Sequence, residues 1–368
     1  GQSIYALDVS DRTSPKLLWD KHGNYPADFP NKPDLSAGYE NLGQTWGRLE
    51  PATIDWQGQK KVVLFTPGGY DPAEDGSLIN GDAHSGPNNR ITHTQGTTIY
   101  MIDALTGDVL WDAKADSDPK IGSQMNSSFP ANVAPLDTNG DGLANLVYAA
   151  DVGGKIWRFD FSSNEPIFKD GVTGSLIADI HGGAGNNNRR IYNEIDVIGN
   201  QGSNSIYLSV GTGNRSHPKM KNVSNYHYII KDELHKSPTA TAGVIVHSDL
   251  AQWPTDSDYG WYVPLSLGEK VLARSSTVSQ QVLFTTFTPK DPVIGSCDVN
   301  PGTGKVYKLN LFKKTLKRAG LSSGGIPPSP VLIPPQREKQ VATPDCASQG
   351  TCPTPTEEKG YSVLVGTE

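Results

Sequence analysis

"NVAPLDTNGDGLANLVYAADVGG", residues Asn132 to Gly154, runs through a proline, a short strand-forming segment, a polar turn, a strong apolar run and a glycine pair. "LEPATIDWQGQKKVVLFTPGG", Leu49 to Gly69, has the same parts in the same order, and "ARSSTVSQQVLFTTFTP", Ala273 to Pro289, is a degenerate third copy. In the apolar runs large residues alternate with smaller or polar ones, a period of two that sends successive side chains to opposite faces of a strand. Each copy therefore reads as a β-hairpin. A second unit recurs beside it. "SIYALDVSDRTSPKLLWD" (Ser3 to Asp20) and "TIYMIDALTGDVLWD" (Thr98 to Asp112) each carry a strand, an Asp, a turn and a strand ending in Trp. "GGKIWRFDF" (Gly153 to Phe161) and "TGKVYKLNL" (Thr303 to Leu311) are strands of the same kind, reached through a glycine turn.

Units of four short strands repeating every ~40 to 50 residues point to a β-propeller, in which each blade is one twisted sheet packed on its neighbours. At that size 368 residues make about seven blades, with longer insertions at 71–95 and 216–240. The expected fold is all-β: one domain over residues 1–368, a seven-bladed β-propeller with a Pro-rich, Cys-bearing insertion at about 326–358. The final "GYSVLVGTE" is expected to return beside the N-terminal strands, because an open ring leaves two unpaired edges. A pair of β-sandwiches also has short strands and turns, but the recurring Trp-ended hairpins favour the propeller.

Composition agrees, since 39 Gly, 27 Pro and only 3 Met describe strands joined by turns and little helix. A net charge of −7 argues against nucleic acid, whose affinity comes from clustered Lys and Arg. The short basic group Lys313, Lys314, Lys317 and Arg318 reads as a solvated hairpin end. No apolar run approaches the ~18 to 20 residues that cross a bilayer, so the chain is expected not to span a membrane, and no charged-then-apolar leader stands at Gly1. Cys346 and Cys352 flank "CASQGTC" in a polar loop, where an exposed disulfide fits, while Cys297 has no obvious partner. These features favour an oxidising, extracytoplasmic location.

Where the Leu49 copy turns with "DWQGQKK", the Asn132 copy turns with "DTNGDGLAN", far more acid and amide than a hairpin needs. Counted from Asp137, side-chain oxygens fall at positions 1, 3, 5 and 9 (Asp137, Asn139, Asp141, Asn145), with Gly142 at 6 and the Leu143 carbonyl following. Calcium takes six to eight hard oxygens at ~2.3 to 2.6 Å, and the glycine permits the sharp turn around it. The match to an EF-hand loop ends at position 12, where Tyr148 stands in place of the bidentate glutamate. The pattern therefore predicts an EF-hand-like calcium loop set between two strands, with affinity on the order of 10⁻⁶ to 10⁻³ M because only two carboxylates contribute. Asp151 lies too far along the strand to join it, and the alternative is an Asx-rich turn without metal.

Other candidates are weaker. "DPAEDG" (Asp71 to Gly76) reads as a solvated loop, and the eight histidines show no zinc spacing. "GTGNRS" (Gly211 to Ser216) lacks the lysine of a phosphate-binding loop, and no nucleophile elbow occurs. No catalytic constellation stands out, so the chain is not expected to be an enzyme.

The succession "IYALDVSDRTSPKLLWD", "NLGQTWGRLEPATI", "VVLFTPGGYD", "TIYMIDALTGDVLWD", "PLDTNGDGLANLVYAADVGGKIWRFDF" and "YLSVGTGNRSHP" resembles the C-terminal domain of the PilC/PilY type IV pilus tip proteins, strongly from Ser3 to about Asp232 and more loosely beyond. The resemblance implies a seven-bladed propeller at the pilus tip, exported through the periplasm to the cell surface. It further implies roles in pilus biogenesis, twitching motility and host-cell adhesion, with minor pilins and a host-cell receptor as partners and calcium-linked control of extension against retraction. In such proteins the calcium ligands fall at alternating positions of this loop, here Asp137, Asn139, Asp141, the Leu143 carbonyl and Asn145. Family members often place Asp at the last position, so Asn145 lowers the charge of the site. No Arg-Gly-Asp tripeptide occurs, so integrin binding is not implied, and the variable N-terminal half of such proteins has no counterpart here. Quinone-dependent dehydrogenases share similar blade repeats and use calcium. They are the alternative, disfavoured because this chain lacks an adjacent Cys-Cys pair and confines its calcium motif to one peripheral hairpin.

Overall fold

The computed structural model describes residues 1–75, 93–161, 172–182, 189–199, 205–233, 243–291, 301–322, 324–333 and 362–364, and among them the regular secondary structure is nearly all strand. A hairpin of β1 (Ser3–Asp8) and β2 (Lys16–His22) comes first. An antiparallel meander follows, made of β3 (Glu50–Trp56), β4 (Gln59–Pro67), β5 (Ile99–Asp103) and β6 (Val109–Asp112). Two one-turn helices, α1 (Ala113–Asp116) and α2 (Pro119–Gly122), are capped by the Asp112 and Asp118 side chains. They lead into β7 (Ala134–Leu136), β8 (Leu146–Ala150), β9 (Lys155–Asp160) and β10 (Thr173–Asp179). Next come β11 (Asp196–Gly199), β12 (Ser205–Gly211), β13 (Tyr226–Glu233), two short strands β14 (Ile245–Val246) and β15 (Ala251–Gln252), and β16 (Gly260–Pro264). β14 runs parallel to β10 at the edge of the previous sheet, and β15 parallel to β16. A last meander of β17 (Ser276–Val278), β18 (Gln281–Thr288), β19 (Thr303–Asn310) and β20 (Thr315–Gly320) precedes the pair β21 (Val331–Ile333) and β22 (Ser362–Leu364).

The sheets pack face to face in chain order, each interface with its own apolar core. Ile4 and Trp19 of the first hairpin lie on Tyr100 and Ile102. Phe65, Met101 and Trp111 meet Val147, Trp157 and Phe159. Tyr148 and Ile156 meet Leu208 and Ile230, and Ile229 and Trp261 meet Val282, Phe284 and Tyr307. Because β8 is covered on both faces, all five of its residues are buried, and the alternation of a half-exposed strand gives way to a continuous apolar run. One interface is also clasped by charge. Arg158 on β9 donates through Nη1 to both carboxylate oxygens of Asp232 on β13 at 2.9 Å, and Tyr148 on β8 donates to the same carboxylate at 2.6 Å, all three side chains being buried.

Each repeat read from the sequence is a real element: the three Pro-containing or Pro-like copies are the first hairpins of their sheets (β3–β4, β7–β8, β17–β18). Two expectations need correction. The segment at 216–240 is not simply an insertion, since "YHYIIKDE" in it is β13, the central strand of its sheet. Its polar His, Lys, Asp and Glu disguise a strand that packing and cross-strand bonds stabilise. The terminal strand β22 pairs with β21 and not with the N-terminal hairpin, because Val331–Ile333 offers a nearer antiparallel partner within the same part of the chain. Among the described residues six sheets are present, of two, four, five, five, four and two strands in chain order. Cys297, Cys346 and Cys352, and most of the 71–95 insertion, lie outside the described residues.

Candidate metal centre

Residues 137–145 join β7 to β8 as an exposed loop whose side chains cap its own backbone. Gly140 and Gly142 have φ of 79° and 85°, the left-handed region that other residues enter at a cost, and these two positions let the chain coil back on Asp137. The Asp137 carboxylate accepts from the Gly140 amide at 2.7 Å and, through its other oxygen, from the Gly142 amide at 2.8 Å. Those amide bonds, Gly142's foremost, hold its carboxyl below the usual range, so it is ionised over a wide span of pH. Asp141 accepts from the Leu143 amide at 2.8 Å and from the Asn139 side-chain amide at 3.0 Å. Asn139 Oδ1 in turn accepts from the Asp141 amide.

Asp137, Asn139 and Asp141 are thus drawn together. Asn145 is brought back to the start of the loop by a different route. Its Oδ1 accepts from the Thr138 amide at 3.0 Å and the Thr138 hydroxyl at 2.9 Å, a partnership that spacing alone did not suggest. Two backbone bonds fix the base of the loop: Asn145 N–H to Leu136 O continues the hairpin ladder, and Ala144 N–H to Thr53 O, at 2.8 Å, ties it to β3 of the neighbouring sheet.

The donor chemistry fits calcium: two carboxylates, two side-chain carbonyl oxygens and a backbone carbonyl, all hard oxygens, on a loop where a Cβ at either glycine would meet only open space. The side-chain oxygens of Asp137, Asn139 and Asp141 accept from amides of the loop itself, and Asn145 Oδ1 is engaged by Thr138. Among the described residues no cluster of three or more His, Cys, Asp or Glu side chains that could hold a metal ion is present, the 137–145 loop bringing only two carboxylates.

"DPAEDG" differs from the solvated loop that its acidity suggests. Asp71 and Glu74 are buried, and a 3-10 turn at Pro72–Asp75 roots the segment in the protein. Glu74 accepts from the Ser128 amide at 2.5 Å, Asp75 binds the Tyr70 and Ser216 hydroxyls, and Asp71 faces His93 at 3.4 Å. Burial, opposed by His93, pushes the Glu74 carboxyl up to about 7. Each of these acids is thus engaged by its own partner, and among the described residues of the segment they form no open ligand set. Two close Ser-His contacts are made among the described residues: Ser209 and His227 lie 2.9 Å apart but both are buried, with Ser275 as the second hydroxyl on Ser209, and Ser3 lies 2.8 Å from His22 with its hydroxyl also engaged by Tyr25.

Sequence reading missed a further string of polar residues. Arg48, Asn132, Glu194 and Arg274 each stand two residues before the first strand of a sheet, and they are joined in succession. The Arg48 amide donates to Asn132 at 2.7 Å, Asn132 donates to Glu194 at 2.9 Å, and Arg274 pairs with Glu194 at 2.8 Å. Aligning the repeats on their first strands would have placed these four at one register.

No family model matches the chain. In sequence it is similar to a type IV pilus biogenesis factor PilY1 homolog of Xylella fastidiosa, 23% identical over 322 residues that cover 78% of this chain and 20% of that protein. It is also similar to the type IV pilus biogenesis factor PilY1 of Pseudomonas aeruginosa strain PAK, 29% identical over 160 residues, 44% of this chain and 10% of that protein. The chain therefore spans a fifth or less of the length of these relatives. In structure it matches the crystallised C-terminal domain of Pseudomonas aeruginosa PilY1 with a TM-score of 0.57 and 17% identity, over 85% of this chain and 66% of that one.

Proposed function

We propose that this chain, a homologue of the PilY1-type pilus biogenesis factors whose fold is that of their C-terminal domain, is the calcium-binding propeller of such a factor and acts at the pilus tip. Its part there is pilus biogenesis, and through it twitching motility and adhesion to host cells, with pilus minor pilins and a host-cell surface receptor as partners. The observation that carries the reading is the loop at 137–145, folded around the Asp137 carboxylate within a chain similar to pilus factors.

Asp137, Asn139, Asp141 and the Leu143 carbonyl would hold calcium, with Asn145 joining once Thr138 releases it. Bound there, calcium would supply a fixed positive charge that pulls these oxygens inward. The loop itself does the rest. Its amides position Asp137, and its bond to Thr53 passes a change of loop shape to the neighbouring sheet. Calcium biases that shape by no more than its differential affinity for the two loop states.

We also infer a closed ring of seven blades. Support comes from the outer face of the first hairpin, where Tyr5, Leu7 and Leu17 are 63%, 47% and 57% exposed although every larger sheet has an apolar neighbour. A quinone-dependent dehydrogenase is not favoured, because the relatives are named as pilus factors.

The test is calcium titration by calorimetry on the chain and on Asp141→Ala, with thermal melting in calcium and in chelator. One site, lost in the variant, with little change in global melting is expected. An unchanged titration in Asp141→Ala overturns the ligand assignment, and absence of binding in the wild type reduces the loop to a turn.

A further inference from the structure

The first-hairpin turns of the repeats sit at equivalent positions but have diverged. β3–β4 closes with Gln57 and Gly58, both at positive φ, an ordinary two-residue turn with glycine where it is favoured. β7–β8 carries the candidate metal loop. β17–β18 again closes in two residues, Ser279 and Gln280, at φ of 47° and 66°. Neither is a glycine or an asparagine, so both positions bear backbone strain that a commoner turn sequence would avoid, and strain of this kind concentrates at binding sites.

That turn forms one wall of a half-open cleft of about 560 Å³ between the β11–β16 and β17–β20 sheets, within the ~300 to 1,000 Å³ range of small-molecule sites. Ile198 and Tyr207 line the other wall, and Thr277 and Phe312 complete it. The frame is held. Leu311 N–H donates to the Gln280 carbonyl at 3.1 Å, joining the β17–β18 and β19–β20 turns, and Thr277 donates to Asp196 across the two sheets at 2.6 Å. Asn310 caps the Phe312 and Lys313 amides, which fixes Phe312 at the mouth with 56% of its surface exposed. Tyr207 packs near Trp261 with ring centroids 5.9 Å apart. Among the described residues that line the cleft, none carries a charge.

We propose that this cleft binds a neutral saccharide. A pyranose presents a C–H face that packs on an aromatic ring and hydroxyls that exchange hydrogen bonds with hydroxyl and carboxamide groups. Phe312 and Tyr207 supply the rings, and Ser279 and Gln280 supply the polar groups. A charged ligand would be desolvated there without a counter-charge. The strained Ser-Gln turn then has a purpose, because Asn-Gly would relax the backbone but take away the Gln280 carboxamide and the Ser279 hydroxyl, leaving one polar side chain in place of two. The inference rests on the cleft alone and not on the calcium or pilus reading.

The test is saturation-transfer NMR of the chain with methyl glycosides of glucose, galactose, mannose and N-acetylglucosamine, in calcium and in chelator. At least one sugar is expected to bind equally in both, with Phe312→Ala and Gln280→Ala each weakening it by about tenfold, the scale of one lost contact. The double variant Ser279→Asn/Gln280→Gly is expected to melt at a higher temperature while binding more weakly. No transfer from any of the sugars, binding unaltered in all variants, or binding only in calcium would each overturn the proposal.

Discussion

His227 shows how a single side chain ties the fold to pH. It lies flat on Phe284, ring centroids 3.8 Å apart, and bonds Ser209 through Nε2, while its Nδ1 is buried without a partner. Burial pushes its pKa down to about 3. Above pH 6.5 it is neutral in both the folded and the unfolded chain and contributes no pH dependence. As pH falls below 6.5 the unfolded chain takes up a proton that the folded one refuses, so stability drops until the pH reaches the folded pKa. The expected loss between pH 6.5 and 4.5 is about 2 to 3 kcal/mol from this residue. Urea unfolding at both pH values should show it, and His227→Phe, which keeps the stacked ring and cannot titrate, should lose that part of the slope.

At the scale of the elements, the Arg158–Asp232 clasp is the contact whose loss costs most for its size. It joins β9 to β13 across two sheets, and Tyr148 completes the shell around the carboxylate. Asp232→Ala takes a hydrogen-bonded counter-charge from a buried guanidinium, for which about 3 to 5 kcal/mol is expected. Arg158→Met/Asp232→Leu removes both charges and should recover most of that loss in chemical denaturation. A double variant as unstable as the single one would show that the pair also sets the sheet register. Nothing in the sequence announced this contact, because its partners are 74 residues apart and each stands in an ordinary strand. The hairpins beside it were legible, since alternation and turn residues are local properties.

For the whole molecule, the order of sheets is the order of the chain, and its two ends are where closure is decided. Leu7 and Leu17 face each other across the first hairpin, with Tyr5 on the same side, all turned away from the β3–β6 sheet. If the ring closes over them, Tyr5→Ser and Leu17→Ser should each destabilise by about 1.5 to 3 kcal/mol, the worth of a buried apolar side chain. Changes within about 0.5 kcal/mol, as at an exposed surface, would leave the ring open at this hairpin. Thermal and urea unfolding of the two variants measure the difference.

The sequence by itself determined the all-β class, the repeated hairpins and the polar loop at Asp137 to Asn145, because strand period, turn residues and the spacing of side-chain oxygens are all written within a few neighbouring positions. It also carried the likeness to pilus factors. Only the tertiary structure decided that Asn145 is held by Thr138, that Asp71 and Glu74 of "DPAEDG" are buried, that "YHYIIKDE" is a central strand, and that β22 pairs with β21. The same holds for the cleft beside Ser279 and Gln280. Each of these depends on which surfaces meet when one sheet is laid on another, and burial and pairing between distant segments leave no periodic trace in the chain that folds.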